Sequence, residues 1–280
     1  MTLEFTKMQG LGNDFVVIDN RGATFDPTPE RIRWLADRRF GVGCDQVLLV
    51  EAAPDDAVDF GYRIFNADGG EVDQCGNGAR CFARWVREHT GFTGNPVRVA
   101  TRAGQMALTT HPDGRVDVDM GQPRFEPAAI PFETPERADE YMLEVEGRTF
   151  RIGAVGLGNP HAVMRVEALD RVPVATLGAA IQALEAFPEG VNVGFVEAVG
   201  RDHIRLRVFE RGAGETLACG SGACAAVVVG RQQGWLDATV RVDLPGGPLT
   251  IHWPGPGEPV TLTGPAETVF EGRIDHDPPV

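Results

Sequence analysis

The chain has 280 residues, 42% of them hydrophobic, and a formal net charge of −14. That length suits two domains with sizeable cores, and the acidic balance excludes phosphate-backbone binding, so no nucleic-acid partner is expected. Five cysteines, an odd count, argue against a secreted disulfide framework, and a single lysine, Lys7, beside 25 arginines nearly excludes pyridoxal phosphate chemistry.

Residues 1–10 carry Glu4, Lys7 and Gln9 rather than a signal pattern. No apolar run approaches the roughly 18 residues of a membrane span. A soluble, cytosolic protein without a membrane partner is expected. Phe15–Asp19 reads as a strand entered through the turn Gly10-Leu11-Gly12-Asn13-Asp14. Thr28-Pro29-Glu30 starts a helix with a capping hydroxyl and a first-turn proline, and Ile32, Leu35 and Ala36 supply its buried stripe. Gly41 to Gln46 is a glycine-rich turn into a strand at Val47–Val50. A strand at Asp59–Asn66, a turn at Asp68-Gly69-Gly70 and a helix at Gly76–His89 follow. Phe82, Trp85 and Val86 lie on one side of that helix, and Arg80, Arg84 and Arg87 on another. Strands are expected at Val97–Thr101, Met106–Thr110 and Arg115–Met120, the last two joined by the hairpin signal Pro112-Asp113-Gly114.

The polar, proline-dotted stretch Gln122–Asp139 reads as a passage between halves. Beyond it the pattern replays: strands near Phe150–Val155 and Ala162–Val166, a helix across Val174–Ala186, strands at Asn192–Val196 and Ile204–Phe209, and a helix at Gly220–Gln233. That last helix is apolar on every side for two turns, which argues for full burial. Strands at Val240–Leu244, Leu249–Trp253 and Val260–Leu262 come next, and Thr268–Ile274 returns to the first half.

The replay is an internal duplication. An offset of 144 residues, from 75 to 219, sets Cys75-Gly76 on Cys219-Gly220, Arg63 on Arg207, Phe65 on Phe209, Gly70 on Gly214 and Glu71 on Glu215. Gly10-Leu11-Gly12-Asn13 recurs as Gly156-Leu157-Gly158-Asn159, and Val97-Arg98-Val99 with Gly104 recurs as Val240-Arg241-Val242 with Gly247. The expected fold is α+β, with two pseudo-symmetric halves, each a strongly curved, mostly antiparallel, barrel-like sheet around a central helix. The first half is taken as 1–119 plus 265–280, the second as 120–264.

Each half carries one thiol where a glycine-rich turn feeds a helix. Free N–H groups there favour a thiolate, bringing the pKa from about 8.5 toward neutrality, and can also hold a carboxylate. If the halves pack about a pseudo-twofold axis, the two thiols suit a two-base racemase, which takes a proton from one face of a stereocentre and returns one to the other. Cys81 and Cys224 lie within helices and read as core packing, and Cys44 as inert. The histidines are too scattered, and the cysteine spacings too long, for a metal site, so no metal is expected.

Gly10-Leu11-Gly12-Asn13-Asp14-Phe15, Phe65-Asn66-Ala67-Asp68-Gly69, Cys75-Gly76-Asn77-Gly78-Ala79-Arg80-Cys81, Gly158-Asn159-Pro160-His161, and Glu210 to Thr216 through Cys219 to Ala226 resemble the diaminopimelate epimerase family. The resemblance implies a cofactor-independent isomerase converting L,L-diaminopimelate to the meso form, on the bacterial route to lysine and peptidoglycan. It implies Cys75 and Cys219 as the acid–base pair, with Gly76, Asn77, Gly220 and Ser221 on the α-carboxylate. Asn13, Gln46, Asn66, Asn159, Asn192 and Arg211 would read the distal amino acid group and Glu210 the reacting amine, while His161 and Glu210 would tune the thiols. A homodimer is also implied, although Phe270 stands where family members often carry a tyrosine linked to dimer contacts. Two other readings stay open: a proline or hydroxyproline racemase of the same fold, whose substrate has no distal head for these asparagines, and a thiol–disulfide or metal-binding protein.

Overall fold

Leu11 (φ 58°) and Gly12 (φ 84°) both lie in the left-handed region, as a two-residue type I′ hairpin requires. They join β1 (Leu3–Gly10) to β2 (Asn13–Asp19) with Gly10 opposite Asn13. The structure is a computed structural model and describes residues 2–73 and 75–274. Gln74 and residues 275–280, expected to end the first half, lie outside the described residues. Strand β1 is not among the expected elements, because Phe5, Thr6, Lys7 and Met8 are all buried and leave no alternation to read.

The chain separates into two units, Met1–Val118 with Gly264–Val280, and Asp119–Thr263. In the first, α1 (Pro29–Ala36) is capped by the Thr28 side chain, which accepts from the Arg31 N–H. It carries the chain over to β3 (Gln46–Ala52), which runs parallel to β2. Antiparallel β4 (Phe60–Asn66) and the short β5 (Glu71–Val72) lead to α2 (Gly76–His89). This helix is the second crossover, since β6 (Val97–Thr101) lies parallel to β4, as a helical connection permits. β7 (Gly104–Thr110) and β8 (Val116–Asp119) complete an antiparallel meander.

The sheet is buried on both faces. Val16, Ile18, Val47 and Leu49 share a core cluster with Ile32 and Leu35 of α1, while Phe15 and Leu48 turn the other way and reach Gly78 of α2. Such strands read as continuous apolar runs rather than alternating ones. The arginine side of α2 runs from a buried Arg80 to an exposed Arg87. Arg80 has no exposed surface, and it donates from Nε to the Pro265 carbonyl (2.9 Å) and from Nη1 to the Gly76 carbonyl (3.2 Å).

The second unit repeats this plan. β9 (Tyr141–Val145) pairs with β10 (Arg148–Gly156), and β10 with β11 (Pro160–Arg165), all antiparallel. Helix α3 (Val174–Gln182) crosses to β12 (Asn192–Ala198), parallel to β11, followed by antiparallel β13 (His203–Glu210) and β14 (Gly214–Thr216). Helix α4 (Gly220–Gln232) crosses to β15 (Thr239–Leu244), parallel to β13, and β16 (Gly247–His252) and β17 (Thr261–Gly264) follow antiparallel. The described residues end in β18 (Glu267–Ile274), which pairs with β1 in the first unit. As expected, α4 is buried nearly all round, from Gly222 to Gly230.

The stretch 122–139 lies within the second unit and is more than a connector, since Ile130 and Phe132 enter that unit's core. One expectation gives way here. Helix α3 ends at Gln182, four residues short of Ala186. There the chain bends so that Phe187 stacks on Phe132 with ring centroids 4.7 Å apart, and a tertiary contact overrides helix propensity. No helix among the described residues is long and apolar enough to cross a membrane.

Candidate active site

The duplicated Arg and Glu positions now have a physical role. Arg63 on β4 grips Glu71 on β5 through two hydrogen bonds of 2.8 and 2.9 Å, and Arg207 on β13 grips Glu215 on β14 through bonds of 2.6 and 3.0 Å. Each bidentate pair pins the short strand that delivers a cysteine to the head of a helix. Cys75 (φ −146°, ψ 116°) is the N-cap of α2 and Cys219 (φ −114°, ψ 107°) the N-cap of α4. The extended cap backbone leaves the first-turn N–H groups without helical partners, and with the helix dipole they form an anion-attracting end.

Around Cys75, the Asn13 carboxamide oxygen accepts from the thiol (Sγ to Oδ1, 3.8 Å) and from Asn77 Nδ2 (3.2 Å). Gln46 Nε2 donates to Asn66 Oδ1 (2.8 Å), so these two residues of neighbouring strands act as one polar pair. Gly76 opens the helix beside them.

Around Cys219 the surroundings are drier. Cys219 is 4% exposed, and its sulfur accepts from the Gly222 N–H (3.4 Å) and sits 3.7 Å from Ser221 Oγ. Burial and the nearby Glu210 carboxylate push this thiol well above its ordinary pKa, outweighing the contributions of Ser221 and Gly222 that pull it down. The expectation that a helix end brings the thiol toward neutrality is therefore overturned at Cys219: desolvation of a charge exceeds what the helix end returns. Thr216 Oγ1 donates to Glu210 Oε1 and so fixes the carboxylate.

Asn159 lies in the β10–β11 turn and donates from Nδ2 to Ser221 Oγ (3.5 Å), while its Oδ1 meets His161 Nε2 (2.7 Å). Burial, helped by the Arg211 charge, drives His161 down to about 3, so its ring is neutral. It bonds the Asn159 carboxamide. Asn192 Oδ1 accepts the Arg211 N–H (2.8 Å), which shapes the turn after β13, and the exposed Arg211 guanidinium donates to the Glu189 carbonyl (2.9 Å). Gly220 is the first residue of α4.

Of the remaining thiols, Cys44 and Cys81 are pushed up to about 12 by burial, and Cys224 has no exposed surface. The residue reading does not single out Thr216, nor the charged group Lys7, Asp14, Arg38 and Asp45 beneath Asn13. The one signal for that group is a solitary lysine in an arginine-rich chain.

The family model described as diaminopimelate epimerase matches residues 5–126 and 153–269. A diaminopimelate epimerase of Thioalkalivibrio sulfidiphilus is 60% identical over 98% of this chain and 100% of its own. Those of Alkalilimnicola ehrlichii (57%, covering 99% and 100%) and Nitrosomonas europaea (58%, covering 98% and 100%) are comparable. Among solved structures, a phenazine biosynthesis protein of the PhzF family from Bacillus anthracis aligns with a TM-score of 0.70 at 16% identity, covering 99% of this chain and 100% of that one. A hydroxyproline epimerase from Agrobacterium vitis aligns with a TM-score of 0.70 at 16% identity, covering 98% and 92%. At that identity the likeness is one of fold.

Proposed function

The chain belongs to the diaminopimelate epimerase family, and from that premise we propose that Cys75 and Cys219 are the acid and base of its reaction. The enzyme is an isomerase that interconverts L,L- and meso-diaminopimelate in lysine biosynthesis. The observation that supports the assignment is the duplicated cap: two pinned short strands, each followed by a cysteine that caps a helix.

Inversion at Cα removes a proton from one face and supplies one to the other, so two groups in opposite protonation states are needed. Cys219 holds its proton, because burial and Glu210 disfavour its thiolate, and it enters the cycle as the donor. Cys75 then enters as the base, and the roles exchange in the reverse direction. The N–H groups of Gly76 and Asn77 and of Gly220 and Ser221 would hold the α-carboxylate, on which charge accumulates as the Cα–H bond breaks. Glu210 would accept from the reacting amine and keep Cys219 protonated. Neutral His161 would orient Asn159. Asn13, Gln46, Asn66, Asn159, Asn192 and Arg211 would bind the distal amino acid group. We also propose a cytoplasmic homodimer, which the exposed Val269 and Phe270 on β18 support; sedimentation at micromolar concentration checks the dimer.

Proton NMR in deuterated water with L,L-diaminopimelate tests the reading. Wild-type enzyme is expected to exchange Cα–H and build up the meso isomer, and to leave L-proline untouched. Cys75→Ala and Cys219→Ala are each expected to lose at least about 10³-fold in turnover, as removal of an essential acid–base group does. Turnover near the wild-type rate in either variant would remove that residue from the mechanism.

A further inference from the structure

Beneath Asn13 lies a charged group that the proposed chemistry leaves unused. Asp14 accepts from Lys7 Nζ (2.6 Å) and from Arg38 Nη1 and Nη2 (2.9 and 2.7 Å), and Lys7 also donates to the Gly43 carbonyl. Burial works to raise the Asp14 carboxyl, but the hydrogen bonds from Arg38 and Lys7 outweigh it and hold it well below the usual range. Asp45 is tied to this anchor through its own N–H to Asp14 Oδ1 (2.9 Å) and through Arg38 Nη2 to its Oδ1 (2.8 Å). Its second oxygen accepts the Asp14 N–H (3.1 Å) and Asn13 Nδ2 (2.9 Å).

An ionised carboxylate only accepts hydrogen bonds, so Asp45 can meet only the NH2 end of the Asn13 carboxamide. The oxygen end is then turned toward the Cys75 thiol and Asn77. Turning the amide over would set oxygen against carboxylate and lose the bonds to Asp45 and from Asn77. We propose that Asp45 is a positioning residue that locks the Asn13 carboxamide with its oxygen facing Cys75, and so makes the Cys75 thiolate harder to form and a stronger base once formed. The proposal rests on the reading of Cys75 as the base. An acceptor facing sulfur bonds the thiol and repels the thiolate, and a less stable thiolate takes a proton from carbon more readily. Tyr62 of β4 and Cys81 of α2 also act on Cys75, but burial keeps both protonated at neutral pH.

The test is the pH profile of iodoacetamide alkylation at Cys75 in the full-length protein, read by peptide mass spectrometry, in wild type and Asp45→Asn. An asparagine at 45 can offer its own oxygen or its NH2 group, which frees Asn13 to turn its NH2 to the sulfur. The Cys75 midpoint is expected to move to lower pH while that of Cys219 stays, with kcat reduced. The shift must survive roughly 1 M salt, where a long-range charge effect would be screened. An unmoved Cys75 midpoint, or a shift abolished by salt, overturns the proposal. If Asp45→Asn does not fold, side-chain amide NMR of the wild type decides: an Asn13 NH2 signal that exchanges slowly and moves on acidification upholds the lock, and a fast-exchanging, pH-insensitive one ends it. Turnover by Cys75→Ala would sink the catalytic reading alone, since the alkylation profile reports on the lock without turnover.

Discussion

His161 shows how a single side chain acquires a role that its residue type does not announce. It is 1% exposed, driven by burial to about 3 from an ordinary 6.5, and bonded to the Asn159 carboxamide, so it works as a neutral, fixed ring. The cost appears in the pH dependence of folding. Below pH 6.5 the unfolded chain binds a proton that the folded chain refuses, so this residue's contribution is intact above 6.5 and is lost as the pH falls toward 3. The slope is on the order of 1 kcal/mol per pH unit. Urea unfolding of wild type and His161→Gln across that window is expected to show a stability difference that shrinks steadily with acid. A pH-independent difference would mean that His161 does not carry the charge penalty.

At the scale of elements, α2 sits so close to its sheet that one position admits no side chain. A Cβ on Gly78 would come within 2.7 Å of the Tyr62 hydroxyl and 3.3 Å of Leu48 and Phe15. Glycine within a helix costs up to about 1 kcal/mol in propensity, yet Gly78→Ala, in the first turn of α2, is expected to destabilise by about 1–3 kcal/mol, because overpacking outweighs the propensity gain. The buried Tyr62 hydroxyl has no hydrogen-bond partner among the described residues, so Tyr62→Phe removes an unsatisfied polar group and is expected to be neutral or stabilising. It also clears the clash. Denaturant unfolding of both single variants and the double should show the double more stable than the sum of its parts predicts. Additivity would mean that the hydroxyl is not what excludes the methyl group.

At the scale of the whole molecule, the net charge of −14 bears on stability as well as on partners. Self-repulsion within the folded chain opposes local pairs such as Arg63–Glu71 and Arg207–Glu215, both partly exposed. Exposed pairs contribute little each, while a summed excess charge acts on every residue. Raising sodium chloride from roughly 20 mM to 0.5 M shortens the screening length severalfold, and the melting temperature is expected to rise. A fall would show that the ion pairs outweigh the repulsion.

What the sequence determined by itself is whatever repeats or is locally coded. The duplication, the two cap cysteines, the Thr28 cap and the extent of α2 were legible because glycine turns, capping hydroxyls and aligned motifs act over a few residues. Most strands were legible too, because chain stiffness gives buried β-branched runs a recognisable length. Tertiary structure decided the rest. β1 is hidden by burial on both faces, β5 and β14 are too short to carry a period, and α3 stops where Phe187 finds Phe132. The ionisation of Cys219 and His161 and the lock on Asn13 followed only from the fold. Desolvation and hydrogen-bond direction depend on which groups lie within a few ångströms, and residues as far apart as Lys7 and Gly43, or Glu210 and Cys219, meet only when the chain has folded.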